Sequence, residues 1–378
     1  MRILYIDNAI AIYGGIERVL IDKINWLAEN SDIEIYLLTV CQGDHPFVYQ
    51  LNPKVKHHDL DVKFHQVYQH PKWKRIYFLH HFHQLFQQHL SEFIKIHTFD
   101  VLVCTRIDFI SDIIKVKGNI PLIFESHNIY SSYKLEKEGW VRRFLFWHWY
   151  RNLKKAQMIV PLTNGDAMEW KKLTPNVQVI PNIVHLNMTG RQSDCQSKDV
   201  IFVGRYSYQK DIPTLLRIWE KVHQRYPDWR LHLFSGYGKQ RDKLMSGISR
   251  TNMNIVVHHP TSAIHEEFLK CSMLLMTSIY EPFGLVLPEA MSCGIPVVAF
   301  DCPYGPADII TDGVDGFLIK NRSVNDFVDK VCLLIEDQNL RLKMGKAGVE
   351  SSRRFEAKSI MPQWKQLFNT LTTNRHDA

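Results

Sequence analysis

An α/β protein of two domains is predicted. Short β-type apolar runs alternate with helical stretches along the 378-residue chain, the alternation breaks once at a polar stretch, and it then restarts. Such alternation gives parallel sheets flanked by helices. The length also exceeds what one ordinary core organises.

Residues 2–7 are the first predicted strand. Gly14-Gly15 follows, then a helix from Ile16 to Glu29 with Ile16, Leu20, Ile24 and Leu27 at helical spacing. Ile33–Val40, Asp100–Thr105, Pro121–Ser126 and Gln157–Thr163 are further strands. From His185 to Lys198 the chain is polar and aperiodic, with Asn187, Thr189, Gly190, Arg191, Ser193, Asp194 and Ser197, and it is predicted as an interdomain linker. Beyond it come a strand over Asp199–Gly204 and a helix over Ile212–Tyr226. Four more strands follow, at Trp229–Ser235, Asn254–His259, Met273–Ser278 and Pro296–Asp301. The tail from Ala357 to Leu371 is helical, with Ile360, Trp364, Leu367 and Phe368 on one side. The domains expected are 1–185 and 198–356, followed by a last helix over 357–373.

Hydrophobic residues make up 45% and charged residues 22%, the balance of a soluble globular protein. The first apolar run ends at Asp7 with no small-residue cleavage site, so a signal peptide is not expected. No window is apolar enough to span a membrane. Seven cysteines are scattered without a CxxC pair, and Cys104 and Cys271 read as small core residues. These features suit a reducing, cytoplasmic setting. Net charge is +7. That excess suits a cleft for anionic phosphates or contact with an anionic membrane better than nucleic acid, and no nucleic-acid partner is expected.

Two α/β halves joined by a hinge place a ligand cleft at the carboxyl ends of their strands, so functional residues are sought just after strands. Glu281-Pro-Phe-Gly-Leu-Val-Leu-Pro-Glu289 follows one strand. Gly284 allows a tight turn into a helix whose first N–H groups suit a phosphate, with Phe283 and Leu285 beside it. Glu281 and Glu289 each have a carboxylate able to accept both hydrogen bonds of a vicinal diol. Gly204-Arg-Tyr-Ser-Tyr-Gln-Lys210 follows another strand, and Arg205 and Lys210 can neutralise a departing diphosphate. Gly14 and Gly15 open a helix after the first strand without forming GxGxxG. His127, in Glu125-Ser-His-Asn128, and Asn182 complete the set. Each also reads structurally: helix start, surface cation, tight turn, satisfied histidine or turn residue.

Weaker signals are set aside. His57-His58 and His80-His81-Phe-His83 lack the third ligand a metal site needs. The stretch Trp140–Lys155, with Arg142, Arg143, Trp147, Trp149, Arg151, Lys154 and Lys155, suits either an interfacial helix or a buried helix with snorkelling cations.

With Glu281 and Glu289 as Glu-x7-Glu, and Gly204, Arg205 and Lys210 as Gly-Arg-x4-Lys ahead of them, the chain resembles GT-B glycosyltransferases of family 4 over nearly its whole length. The resemblance is strongest from Asp199 to Leu318. It implies GT-B architecture: two facing Rossmann-like domains with a cleft, the first for acceptor, the second for nucleotide-sugar. It also implies a retaining hexosyl or N-acetylhexosaminyl transfer from a UDP-sugar to a saccharide or lipid-linked acceptor. By resemblance, Glu281 contacts the donor sugar, Glu289 the ribose, and the amides at Gly284 and Leu285 the phosphates. Arg205 and Lys210 take the diphosphate, His127 belongs to the first-domain site, and Gly14-Gly15 is the glycine loop. No metal or other cofactor is implied.

Family members often carry Gly after the lysine, where this chain has Asp211. Asp301-Cys-Pro-Tyr-Gly-Pro306 resembles a subgroup that builds surface polysaccharides, lipid-linked oligosaccharides and wall polymers. Peripheral attachment at the inner face of the membrane, through Trp140–Lys155, is the corresponding expectation. A nucleotide-sugar epimerase, a dinucleotide-dependent oxidoreductase and a non-catalytic nucleotide-binding protein are the rival readings.

Overall fold

The computed structural model describes residues 1–133, 140–235, 245, 247–248 and 252–376. The chain divides into two compact units, Met1–Ile183 together with Ile360–Ala378, and Val184–Ser359.

The first unit is built on β1 (Arg2–Asp7), β2 (Glu34–Thr39), β3 (Lys56–Asp59), β4 (Val101–Cys104), β5 (Leu122–Ser126) and β6 (Met158–Pro161). All pair in parallel, in the order β3-β2-β1-β4-β5-β6. The central strands are buried along their length because helices cover both faces of a parallel sheet. The unpredicted strand β3 is Lys-His-His-Asp, an edge strand whose side chains are mostly exposed, so it carries no apolar signal. Its register pairs Asp59 with Thr39, whose hydroxyl donates to Asp59 Oδ1 (2.8 Å) and also lies 2.8 Å from His57 Nε2.

The second unit repeats the plan with β7 (Asp199–Val203), β8 (Arg230–Phe234), β9 (Ile255–His258), β10 (Met273–Met276), β11 (Val297–Phe300) and β12 (Gly316–Ile319). Its order is β12-β11-β10-β7-β8-β9. In both sheets the order reverses between the first strand and the fourth, which opens a crevice at their carboxyl ends. The other unpredicted strand, β12, begins at Gly316, where a Cβ would lie 2.6 Å from the Val297 carbonyl oxygen. Only glycine lets the two backbones approach so closely.

The predicted linker is corrected. Residues from Val184 onward belong to the second unit, and Leu186, Ser193 and Cys195 are buried. Ser193 donates from its amide to Cys293 O (2.8 Å) and from its hydroxyl to Cys271 O (2.7 Å). Arg341 donates to Cys195 O from Nε (3.1 Å) and Nη2 (2.8 Å). The polar residues that suggest a solvated tether instead satisfy backbone groups of a packed strap.

The tail helix runs from Ala357 to His376, and from Ile360 it belongs to the first unit. Ile360, Trp364, Leu367 and Phe368 are all buried, as their spacing predicts. The Trp140–Leu153 helix presents Trp149 and Tyr150 to the first unit's core, while Trp147 is exposed with Arg151 over its ring. Arg142 and Arg143 lie among residues whose side chains are outside the described set. Cys104 and Cys271 are buried, and all seven cysteines are free thiols. Among the described residues no helix is long and apolar enough to cross a membrane.

Candidate active site

In the second unit the crevice between β7 and β10 gathers the residues of both predicted motifs. Gly204 follows β7 and donates to Phe234 O (3.0 Å). A Cβ there would lie 3.2 Å from the Lys210 side chain, so the glycine leaves room for that chain to cross. Lys210 donates to Glu281 Oε2 at 2.5 Å, and Ser278 donates to the same oxygen at 3.1 Å. Gln209 donates to Tyr280 O at 3.2 Å. A largely buried carboxylate thus holds a largely buried ammonium in a fixed place.

The backbone of Glu281 is clamped as firmly as its side chain. Its amide donates to Pro303 O (2.6 Å), while Tyr304 and Gly305 donate to its carbonyl (3.0 and 2.8 Å). Gly305 packs so closely on Phe283 that a Cβ would stand 1.9 Å from the Phe283 oxygen. The Asp301–Pro306 segment is therefore the wall that positions the Glu281 loop. Phe283 is buried edge-on against Phe355. Gly284 turns with φ +97°, a value that glycine tolerates and other residues resist, and Leu285 caps the Val286–Ser292 helix. Glu289 lies half-buried in that helix's first turn.

Asp211 accounts for the departure from glycine after Lys210. It sits at φ +46°, ψ +52°, a left-handed conformation that Asp adopts more readily than most residues. Its side chain caps the Ile212–Arg225 helix by accepting from Thr214 N and also accepts from Arg322 Nη2 at 2.5 Å. Arg322, which the sequence reading missed, further donates to Ser278 O (2.6 Å) and Thr277 O (3.2 Å), 4.4 Å over the Phe300 ring. It ties the Lys210 loop to the strand end that precedes Glu281. Arg205 is exposed and joins none of these contacts among the described residues.

In the first unit His127 is buried after β5, its Nε2 3.3 Å from Glu125 Oε1 but outside hydrogen-bonding geometry. Glu125 also accepts from Lys23, another residue the sequence reading missed. Burial disfavours the Glu125 carboxylate, but Lys23 and His127 outweigh it and hold the carboxyl at about 2. Burial lowers the Lys23 ammonium against the pull of Glu125. Asp7, at the end of β1, accepts from the Thr105 hydroxyl at the β1/β4 reversal, and burial raises its carboxyl above the usual range. Gly14 caps the Gly15–Asn30 helix and accepts from the Tyr49 hydroxyl (3.2 Å). Asn182 is buried, and its Oδ1 has no hydrogen-bond partner among the described residues. No hydrogen bond or ion pair joins Gly14, Gly15 or Asn182 to His127 among the described residues. No group of three His, Cys, Asp or Glu side chains is arranged for a metal among them either. His83 instead pairs with Asp112 (2.6 Å).

Comparison with known proteins agrees with this division. Residues 13–187 match Glycosyltransferase Family 4, and residues 189–351 match Glycosyl transferases group 1. The chain is 32% identical over 224 residues to the amylovoran biosynthesis glycosyltransferase AmsD of Erwinia amylovora, covering 57% of this chain and 62% of that one. It is 29% identical to the poly(ribitol-phosphate) alpha-N-acetylglucosaminyltransferase of Staphylococcus aureus, covering 58% and 45%. An uncharacterized glycosyltransferase of Haemophilus influenzae matches at 25% over 93% of this chain and 95% of its own. The chain thus spans less than two thirds of the length of the first two. Among solved structures, sucrose-phosphate synthase from Thermosynechococcus elongatus superposes with a TM-score of 0.81 at 17% identity, covering 99% of both chains. Anabaena HepE in complex with UDP-glucose superposes at 0.73 and 18%, covering 98% and 100%. With paired Rossmann-type sheets, and family matches running through both units, the chain belongs to the GT-B glycosyltransferases of the family 4 type.

Proposed function

We propose that this protein transfers a hexose or N-acetylhexosamine, with retention, from a UDP-sugar to a saccharide or lipid-linked acceptor in surface polysaccharide synthesis. The observation that carries the proposal is the Lys210–Glu281 pair, buttressed by Ser278 and clamped by the Pro303–Gly305 backbone. A fixed cation beside a fixed carboxylate suits a ligand with a phosphate at one end and hydroxyls at the other. The alpha linkage in the name of the Staphylococcus relative, and UDP-glucose in the HepE complex, support an α-linked UDP-sugar and retention. AmsD's name supports a polysaccharide setting.

In this reading the bond between the anomeric carbon and the β-phosphate oxygen breaks. Lys210 and Arg205 stabilise the charge that gathers on the leaving diphosphate. Glu281 orients the donor sugar, and Glu289 accepts from the ribose hydroxyls. The acceptor oxygen attacks the anomeric carbon from the face the diphosphate leaves, and its proton passes to a departing phosphate oxygen. His127, beside Glu125, hydrogen-bonds a hydroxyl of the reacting sugars.

The test is the melting temperature with UDP, GDP, ADP and NAD, followed by proton NMR of the product formed from UDP-sugars. A ligand bound only by the folded state raises the midpoint. A rise with UDP alone and an α product are expected. A rise with NAD alone overturns the transferase reading. Isomerisation of the UDP-sugar without acceptor favours an epimerase.

A further inference from the structure

Between Asp61 and Glu92 the sequence contains no carboxylate, while it carries Lys63, Lys72, Lys74 and Arg75. The same stretch exposes large apolar side chains: Tyr68 and Trp73 are each 74% exposed, Ile76 78% and Tyr77 70%. Isolated exposed apolar residues are ordinary, but a run of them within ten positions needs an occupant. Tyr68 lies in a short 3-10 helix (Phe64–Gln69), Trp73 in the turn that follows, and Ile76 and Tyr77 at the start of the Arg75–Ile96 helix. Arg75 donates to His70 O (3.0 Å) and Tyr68 O (3.3 Å) with its guanidinium 5.4 Å from the Tyr68 ring. His70 stacks on Phe78, and Lys74 sits 4.8 Å over the Trp73 ring. Inward from the same helix, Phe82, Phe86, Leu90 and Phe93 fill the core, so the helix has its own apolar face satisfied.

Topology places this patch at the mouth end of the first unit. The chain leaves β3 at Asp59, crosses the carboxyl edge of the sheet, and enters the Arg75–Ile96 helix that returns toward β4. The Gly14 loop after β1 and His127 after β5 lie at that same edge.

We propose that Tyr68, Trp73, Ile76 and Tyr77, with Lys72 and Lys74, dock this unit onto an anionic lipid bilayer. The aromatic and aliphatic groups enter the headgroup boundary while the cations meet lipid phosphates. Charge complementarity selects a bilayer over a protein partner: cations alternate with apolar groups, and no carboxylate of the segment repels the surface. The proposal does not depend on which sugar the second unit binds.

The experiment is co-sedimentation of the full chain with vesicles of phosphatidylcholine alone or mixed with phosphatidylglycerol. Binding only to the anionic vesicles, weakened by salt, is expected. Lys72→Gln/Lys74→Gln should weaken it about 30-fold, at roughly fivefold per charge. Trp73→Ala/Tyr77→Ala should weaken it roughly tenfold or more, and Trp73→Phe should reduce quenching of tryptophan emission by brominated lipid. All substituted side chains are exposed, so an unchanged melting temperature certifies the fold. Equal binding to both vesicle types overturns the proposal, as does wild-type affinity in both double variants. So does a lipid-free dimer that Trp73→Ala/Tyr77→Ala converts to monomer, because a second copy would then be the occupant.

Discussion

Lys23→Met should destabilise the protein by about 3 to 5 kcal/mol, because it strands an ionised Glu125 in the core. The side chains of Lys23 and Glu125 are each 2% exposed. The Glu125 carboxyl sits at about 2 against an ordinary value of 4.5. At 1.36 kcal/mol per unit that depression corresponds to about 3 kcal/mol, present above pH 4.5 and lost as the pH falls toward 2. The lysine works the other way: burial lowers its pKa, which subtracts from the pair's net contribution. The intact pair is therefore worth less than the glutamate alone suggests, and breaking it costs more than the pair contributes. Trp364, 4.2 Å from the ammonium, loses its cation contact at the same time.

Urea denaturation of Lys23→Met, Glu125→Gln and the double variant at pH 7 and pH 5 measures this. The double variant should lie within about 1 kcal/mol of wild type, giving a coupling of about 2 kcal/mol or more. Without Lys23, burial should raise the Glu125 carboxyl above its unfolded value. Its stabilising contribution is then greatest below the unfolded pKa and lost as the pH rises, so the single variant's deficit should narrow toward pH 5. Additive single deficits, or a deficit that ignores pH, would refute the reasoning.

Other expectations concern the second unit and one acid of the first. Glu289→Ala should weaken UDP binding by about 10- to 100-fold in calorimetry, whereas Glu281→Ala should lower kcat with a smaller change in UDP affinity. Unchanged turnover in folded Glu281→Ala would remove its assigned role. Gly305→Ala must displace the Phe283 carbonyl, and should cost about 2 kcal/mol or more in thermal melts together with donor affinity. Asp166 accepts from Tyr130 N and Trp170 Nε1, yet burial raises its carboxyl from 3.8 to about 6. Its contribution is full below pH 3.8 and lost as the pH rises through about 6, by at most about 3 kcal/mol. Asp166→Asn should abolish that slope in pH-dependent denaturation.

Most of the strands were legible because they are apolar runs followed by a turn, and looking just past those runs picks out Glu281, Lys210 and His127 as candidates. What stayed hidden has two causes. The edge strand at Lys56–Asp59 and the close-packed strand at Gly316–Ile319 lack a periodic signal. Lys23, Asp7 and Arg322 act through partners far away in sequence: Lys23 on a helix meets Glu125 on a strand, Asp7 meets Thr105, and Arg322 meets Asp211. Lys23 occupies a helix face whose neighbours Leu20, Ile24 and Leu27 are core, and a lysine on an apolar face is the one trace the sequence offered. The polar strap from Val184 misled because a residue that satisfies backbone carbonyls and one that faces water look alike in composition.

The two units share one strand order but put different chemistry at the reversal, and the difference follows from how each charge is compensated. In the first unit Glu125 and Lys23 neutralise one another almost completely out of water, so their pairing fixes geometry and leaves little field beyond His127. In the second unit Lys210 and Glu281 keep 15% and 10% of their side chains accessible, and Arg205 is exposed. In the proposed reading, a phosphate that arrives there meets the Lys210 ammonium already oriented by the Glu281 carboxylate, so little reorganisation is needed when charge moves onto the leaving group. Asp211 and Arg322 extend that preorganisation around the loop: the left-handed aspartate starts the Ile212–Arg225 helix while its ion pair holds the loop against the end of β10. Replacing Asp211 with glycine keeps the turn but releases Arg322, so kcat should fall more than nucleotide affinity. A loss of nucleotide affinity with kcat unchanged would instead assign Asp211 to binding alone.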